Sequence, residues 1–194
     1  MQRFQLKRDD GDISICHWSA DQSTQKSASR KPVLHWAHAN GFNAQTYGPL
    51  LAPLAGDFDV YAADARGHGL STITADPAQY PGWTQYRNDL ISVVEHLFGK
   101  AGGKIWLGGH SMGGCASVMA ASIRPDLVAG LILADPVIVP RSARMLARLM
   151  FRNQGGFALA VNAAKRRADW PDAETIKKAY TGRGAFRTWQ DGFL

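Results

Sequence analysis

Short apolar runs alternate along the chain with stretches whose apolar residues recur every three or four positions. Ile13 and Ile15 alternate with polar neighbours, and with residues 3–7 across the turn Asp9-Asp10-Gly11-Asp12 they predict an opening hairpin. A polar stretch without periodicity, residues 19–31, reads as a loop. Strands are then expected at 33–38, 58–63, in the apolar run that begins at Ile105, and at 128–134. Between them lie helical patterns: residues 47–55, despite Pro49 and Pro53; Tyr86, Leu90, Ile91, Val94 and Leu97, with Gly99 as a stop; and 115–123, closed by Pro125. Beyond Pro140 no strand pattern returns. Met145, Leu146, Leu149, Met150 and Phe151 form one face of an amphipathic helix whose other face carries Arg141, Arg144, Arg148 and Arg152. Further helices are expected at 157–167 and 173–180.

This order predicts an α/β fold, a mostly parallel sheet with helices on both faces, entered through an antiparallel hairpin. Residues 1–140 are expected to form the core and 141–194 a helical cap or lid. At 194 residues, 45% hydrophobic and 20% charged, the chain has the size and balance of one ordinary globular domain. No run of about 18 apolar residues occurs, and residues 1–7 hold no apolar signal core, so no transmembrane segment is expected and a cytoplasmic location is. Cys16 and Cys115 fall in a strand and a helix and read as reduced core residues. The net charge of +6 is unevenly held: residues 1–140 sum to −1 and residues 141–194 to +7. That basic end reads as a solvated helical face, and no motif points to nucleic acid.

The chemistry concentrates where strands end. Ile105-Trp106-Leu107-Gly108-Gly109-His110-Ser111-Met112-Gly113-Gly114 is an apolar run breaking into Gly-x-Ser-x-Gly, the pattern of a nucleophile elbow. Glycines flank such a serine because strand and helix must approach closely around a strained residue. Two more polar motifs follow predicted strands: His38-Ala39-Asn40-Gly41-Phe42, and Asp64-Ala65-Arg66-Gly67-His68-Gly69-Leu70-Ser71. In open sheets of this kind reactive groups collect beyond the carboxyl ends of the strands.

The three motifs in this order resemble the α/β-hydrolase fold enzymes, and within them the cap-bearing serine hydrolases, esterase- and lipase-like. The resemblance covers residues 3–140 well and the cap loosely. It implies Ser111 as nucleophile, with the Met112 N–H as half of an oxyanion hole and the Asn40 N–H, or alternatively that of Phe42, as the other half. His110 is read as a packing residue turned away from the serine, and His38 and His68 as braces of their loops. The family's order is Ser, then Asp or Glu, then His, yet no histidine follows Ser111. Asp135, at the end of the sixth strand, is a fallback acid or a structural strand-end residue. No base histidine is present. The resemblance therefore implies that the last two core strands, with acid and base, lie beyond Leu194, and that the chain alone is weakly active or inactive.

The function expected is hydrolysis of carboxylic esters through an acyl-enzyme. Alternatives on the same scaffold are a thioesterase, a peroxidase-like enzyme or a carbon–carbon bond hydrolase, and outside catalysis a hydrolase-fold remnant or binding protein. Aspartate-nucleophile chemistry is disfavoured by a serine at 111. The substrate is expected to be a small ester-like molecule with an apolar group, without cofactor or metal, and the chain is expected to self-associate through an exposed sheet edge.

Overall fold

The computed structural model describes residues 1–19, 30–76, 82–138 and 169–189. The chain divides into two compact units, residues 1–137 and 138–194. The first holds a six-stranded sheet in the order β1-β2-β4-β3-β5-β6. Its strands are β1 Gln2–Leu6, β2 Ile13–Trp18, β3 Val33–Ala37, β4 Asp59–Ala63, β5 Ile105–His110 and β6 Val128–Ala134. β1 and β2 form the expected hairpin, β2 pairs antiparallel with β4, and β4, β3, β5 and β6 run parallel.

Alternation along the buried strands sorts side chains into two cores. On one face Ile13, Ile15, Val33, Ile105 and Leu107 pack with Leu90, Val93, Val94 and Leu97 of α2 (Thr84–Ala101) and with Ala116 and Ala120 of α3 (Met112–Ile123). On the other face Leu34, Trp36, Val60 and Trp18 pack with Leu51 of α1 (Gly48–Leu51) and Ala55. Trp36 lies over Gly108 of the next strand and Trp106 over Gly130 of the one after, and a Cβ at either glycine would run into the indole.

The periodic helix at 86–97 is longer than its apolar stripe shows. It runs to Ala101, and Gly102, at φ +67, supplies the left-handed cap instead of Gly99. The helix expected over 47–55 is a chain of short turns: 3₁₀ at Ala44–Tyr47, α1, then 3₁₀ at Pro53–Gly56. Pro49 and Pro53 open the two later pieces, where a missing N–H costs nothing, and so divide the segment.

In the second unit α4 (Ala173–Tyr180) is capped by Asp172, whose carboxylate accepts from Thr175 N–H at 2.6 Å. Trp170, Tyr180, Phe186 and Trp189 form a run of ring contacts beside it. The helices expected at 141–152 and 157–167 lie outside the described residues. Among the described residues no helix is long and apolar enough to cross a membrane.

Candidate active site

β5 delivers the elbow. Ser111 has φ +52 and ψ −115, a conformation that β-bearing residues adopt only under constraint. The constraint comes from close packing on both sides. A Cβ on Gly113 would sit against the Ala37 and His38 carbonyls, and one on Gly109 would lie 2.6 Å from the Gly113 carbonyl carbon. Helix α3 starts immediately after the serine, and the Ser111 N–H donates to the Ala134 carbonyl of β6 at 3.0 Å. A serine at an N-cap usually accepts from its own helix. Here the backbone turn prevents it: Ser111 makes no side-chain cap bond, and its hydroxyl has no hydrogen-bond partner among the described residues.

Two groups of donors lie at these strand ends. The first-turn N–H groups of α3, Met112 first, have no partner four residues back, as at every helix start. After β3 the chain turns at Ala39, where Phe42 N–H donates to the Ala39 carbonyl at 3.1 Å. That bond commits the donor named as the alternative. The Asn40 N–H has no acceptor among the described residues.

The loop carrying Asn40 is held from three sides. Ala39 N–H donates to the Tyr47 hydroxyl at 3.1 Å, and that hydroxyl is hydrogen-bonded to His110 Nδ1 at 2.7 Å. His110 is thus a polar partner of the loop as well as a packed ring. His38 is buried, its Nδ1–H donating to the Ala39 carbonyl at 2.8 Å while Nε2 accepts from Ala65 N–H at 2.9 Å. His68 Nδ1–H donates to the Arg66 carbonyl at 2.9 Å, and its Nε2 accepts from Gly41 N–H at 3.2 Å with the Asn40 side-chain amide 3.1 Å away. Burial lowers His38 to about 4, so its ring stays neutral and keeps both bonds near neutral pH.

Asp64, fully buried at the end of β4, accepts from Ala44 N–H at 2.8 Å, Leu70 N–H at 2.9 Å and Arg3 at 2.7 Å. Gly69, at φ +53, is forced by this: a Cβ there would occupy the carboxylate. Arg66 makes a two-pronged pair with Asp89 of α2, at 2.6 and 2.8 Å, which fastens the whole 64–71 loop. Neither Tyr47 nor the Arg66–Asp89 pair is named by the sequence patterns. The partners are 63 and 23 residues apart, and no local spacing encodes them.

Asp135 follows the carbonyl that receives the Ser111 N–H, has φ +44, and is exposed. None of the six histidines is hydrogen-bonded to Ser111. His17 pairs with Asp59 at 2.5 Å, His38, His68 and His110 are placed as above, and His35 and His96 have buried ring nitrogens without partners. Among the described residues no cluster of His, Cys, Asp or Glu fits a metal ion.

Residues 28–177 match the family described as serine aminopeptidase, S33. The chain belongs to that family. Its sheet and elbow are those of the α/β-hydrolase fold. Among curated proteins it is 34% identical over 104 residues to 2-(acetamidomethylene)succinate hydrolase of Mesorhizobium japonicum, covering 54% of this chain and 35% of that one. It is 28% identical over 138 residues to human monoglyceride lipase, covering 69% and 43%. The thioesterase domain from the curacin biosynthetic pathway superposes with a TM-score of 0.64 at 21% identity, covering 92% of this chain and 62% of that domain. The chain thus spans less than half the length of these curated relatives.

Proposed function

We propose that this S33-family chain carries the nucleophile and oxyanion hole of a serine hydrolase that acts on carboxylic esters. The observation that carries the reading is Ser111: a strained residue whose hydroxyl makes no hydrogen bond among the described residues, followed at once by the Met112 N–H at the start of α3, with the Asn40 N–H also without an acceptor among those residues. In the proposed reaction Ser111 Oγ attacks the ester carbonyl and gives up its proton to a base. The carbonyl oxygen takes the negative charge and is held by the Met112 and Asn40 N–H groups. Collapse expels the alcohol, leaving an acyl-serine that water hydrolyses to acid and free serine. Relatives named as a monoglyceride lipase and a protein phosphatase methylesterase make esters the first substrates to try.

The proposal assigns no base to residues 1–194. Asp135 is the candidate acid, and it has no histidine to orient. In a serine protease, loss of the histidine costs on the order of a millionfold in turnover, so the chain alone is expected to turn over esters very slowly. That sets the test. Imidazole added in solution supplies a base without its positioning, so an activated acetate ester should acetylate Ser111 faster as imidazole rises, seen as the mass of one acetyl group on the intact protein. Ser111→Ala should remove the protein-dependent rate. An imidazole-dependent rate that is the same in Ser111→Ala overturns the reading and favours the second, a hydrolase fold kept for binding.

Residues 141–194 are proposed as the cap, with the apolar face of 145–151 receiving the substrate's hydrophobic group. Preference for the shortest acyl chain would count against this. A cytoplasmic location and self-association through the sheet edge belong to the same reading.

A further inference from the structure

The regular pairing of β3 with β5 stops at Ala37 and Gly109. The two N–H groups assigned to the oxyanion come three residues later on each chain segment, at Asn40 and Met112. Among the described residues no main-chain hydrogen bond joins residues 39–42 to residues 111–112. An oxyanion hole works through donors preset at the right separation, so a side chain has to set it here.

The Tyr47 hydroxyl crosses this gap. Its oxygen is 3.1 Å from the nitrogen of Ala39, the residue before Asn40, and 2.7 Å from Nδ1 of His110, the residue before Ser111. One hydroxyl can serve both, taking the amide proton on one lone pair and keeping its own proton and a second lone pair for the imidazole. The Asn40 N–H shares a rigid peptide plane with the Ala39 carbonyl, which accepts from Phe42 N–H at 3.1 Å and from His38 Nδ1–H at 2.8 Å. Ala39 is therefore held at its N–H by Tyr47 and at its carbonyl by the loop itself, and this fixes where the Asn40 N–H points. Tyr47 is anchored in turn. Its 3₁₀ turn, Ala44–Tyr47, is capped by Asn43, whose side chain accepts from Thr46 N–H at 3.1 Å, and the Ala44 N–H is tied to Asp64 at 2.8 Å. The Tyr47 ring packs against Trp36, Phe42 and His110, with centroids 5.8, 6.0 and 6.1 Å away.

We propose that Tyr47 is a positioning residue: its hydroxyl ties the Asn40 loop to the elbow and so sets the separation of the two oxyanion donors. This rests on the reading of Ser111 given above. A phenylalanine would fill the same ring space, so the hydroxyl is the part that matters. Burial pushes that hydroxyl above its ordinary value of 10, outweighing the bond from Ala39, so it keeps its proton wherever the site would work. Without it the Ala39 N–H loses its partner, the peptide before Asn40 can turn, and the donor moves away from the developing negative charge. Misplacing a reacting partner by about 1 Å can cost about a hundredfold in rate.

The test uses the intact chain carrying Ser111→Cys, because a thiol gives up its proton near about pH 8.5 without a histidine. With p-nitrophenyl acetate the sulfur attacks the carbonyl carbon, the carbonyl oxygen takes the charge, and p-nitrophenolate leaves as a thioester forms. With iodoacetamide the sulfur displaces iodide from a saturated carbon, and no oxyanion forms. Both reactions draw on one thiolate, so the ratio of their rates at residue 111, read by peptide mass, cancels its ionisation. In Ser111→Cys the ratio should exceed that of N-acetylcysteine. Adding Tyr47→Phe should lower it by about tenfold to a hundredfold with the alkylation rate unchanged. A merely structural loss would change both rates together, and that result overturns the proposal. His110→Phe cuts the tie at its other end and should lower the ratio in the same direction, which carries the test if Tyr47→Phe does not fold. An elevated ratio that the folded variant leaves unchanged overturns the role of Tyr47 alone. A ratio in Ser111→Cys no higher than that of N-acetylcysteine overturns the oxyanion hole itself, and the role of Tyr47 with it.

Discussion

Ser111 shows how one residue sets stability against presentation. At φ +52 and ψ −115 its Cβ is carried in a conformation that glycine occupies freely, and the strain is of order 1–3 kcal/mol. Ser111→Gly should therefore raise the unfolding free energy by about 1 kcal/mol, read by urea denaturation, while abolishing acyl transfer to residue 111. Unchanged or lower stability would mean that the turn is relaxed. Gly113 presents the opposite case. Its missing side chain is what lets α3 approach the Ala37 carbonyl, and no rotamer can relieve a Cβ that meets main chain. Gly113→Ala should cost about 3 kcal/mol in the same assay, whereas Gly99→Ala, whose added Cβ meets nothing within 4 Å, should be neutral or slightly stabilising.

At the level of elements, β3 and the residue that follows it carry two histidines, His35 and His38, with different environments and the same direction of titration. Both are buried and neutral, His35 at about 3 and His38 at about 4, against an ordinary value of 6.5. Because the folded values are the lower ones, the unfolded chain binds more protons between pH 6.5 and 4. Stability should be full above about pH 6.5 and fall as the pH drops through that window, by about 1.4 kcal/mol per unit for each histidine. Carboxylates act lower: burial would raise Asp59, but hydrogen bonds from His17 and Tyr61 and the charge of His17 outweigh it and hold it below 3.8, so its contribution fades only below that pH. Urea titrations from pH 7 to 4.5 should show a slope of at least two protons, to which His96, lowered by burial and by Lys100, adds in the same direction, and His35→Leu should remove about one of them. A flat profile would mean that both rings gain protons in the folded state.

The same elements show what the sequence could reveal. Strands and α3 were legible because alternation and the glycine-bracketed serine are local patterns, and β6 and α4 fall where the apolar periodicity puts them. The ends of α2 were not, since its last turn is polar and the left-handed cap at Gly102 is decided by backbone geometry. Of the candidate site, Ser111, Met112 and Asn40 could be named from motif position. The Tyr47 hydroxyl between the Ala39 N–H and His110, and the Arg66–Asp89 clamp, arise from strand order, which brings distant residues to one end of the sheet.

Across the whole molecule the most consequential surface is the β6 edge. Among the described residues β6 pairs only with β5, and Leu131, Ile132 and Leu133 are each more than a third exposed, on alternating faces. Val137 and Ile138 extend the apolar patch. The strand Val128–Ala134 contains no charged residue, so it lacks the lysines and prolines that keep natural edges from pairing. A second copy of the chain offers the same unpaired row, and two β6 strands related by a two-fold axis can pair antiparallel with their apolar residues facing like partners. The chain is therefore expected to sediment as a dimer or larger species at micromolar concentration. Ile132→Lys places a charge within that row without altering the β5 ladder, and should shift the distribution toward monomer with little loss of helix signal. If the unaltered chain is monomeric across that range, the edge is covered by other residues of its own chain, and the lysine variant should then be destabilised instead, because the charge would be buried.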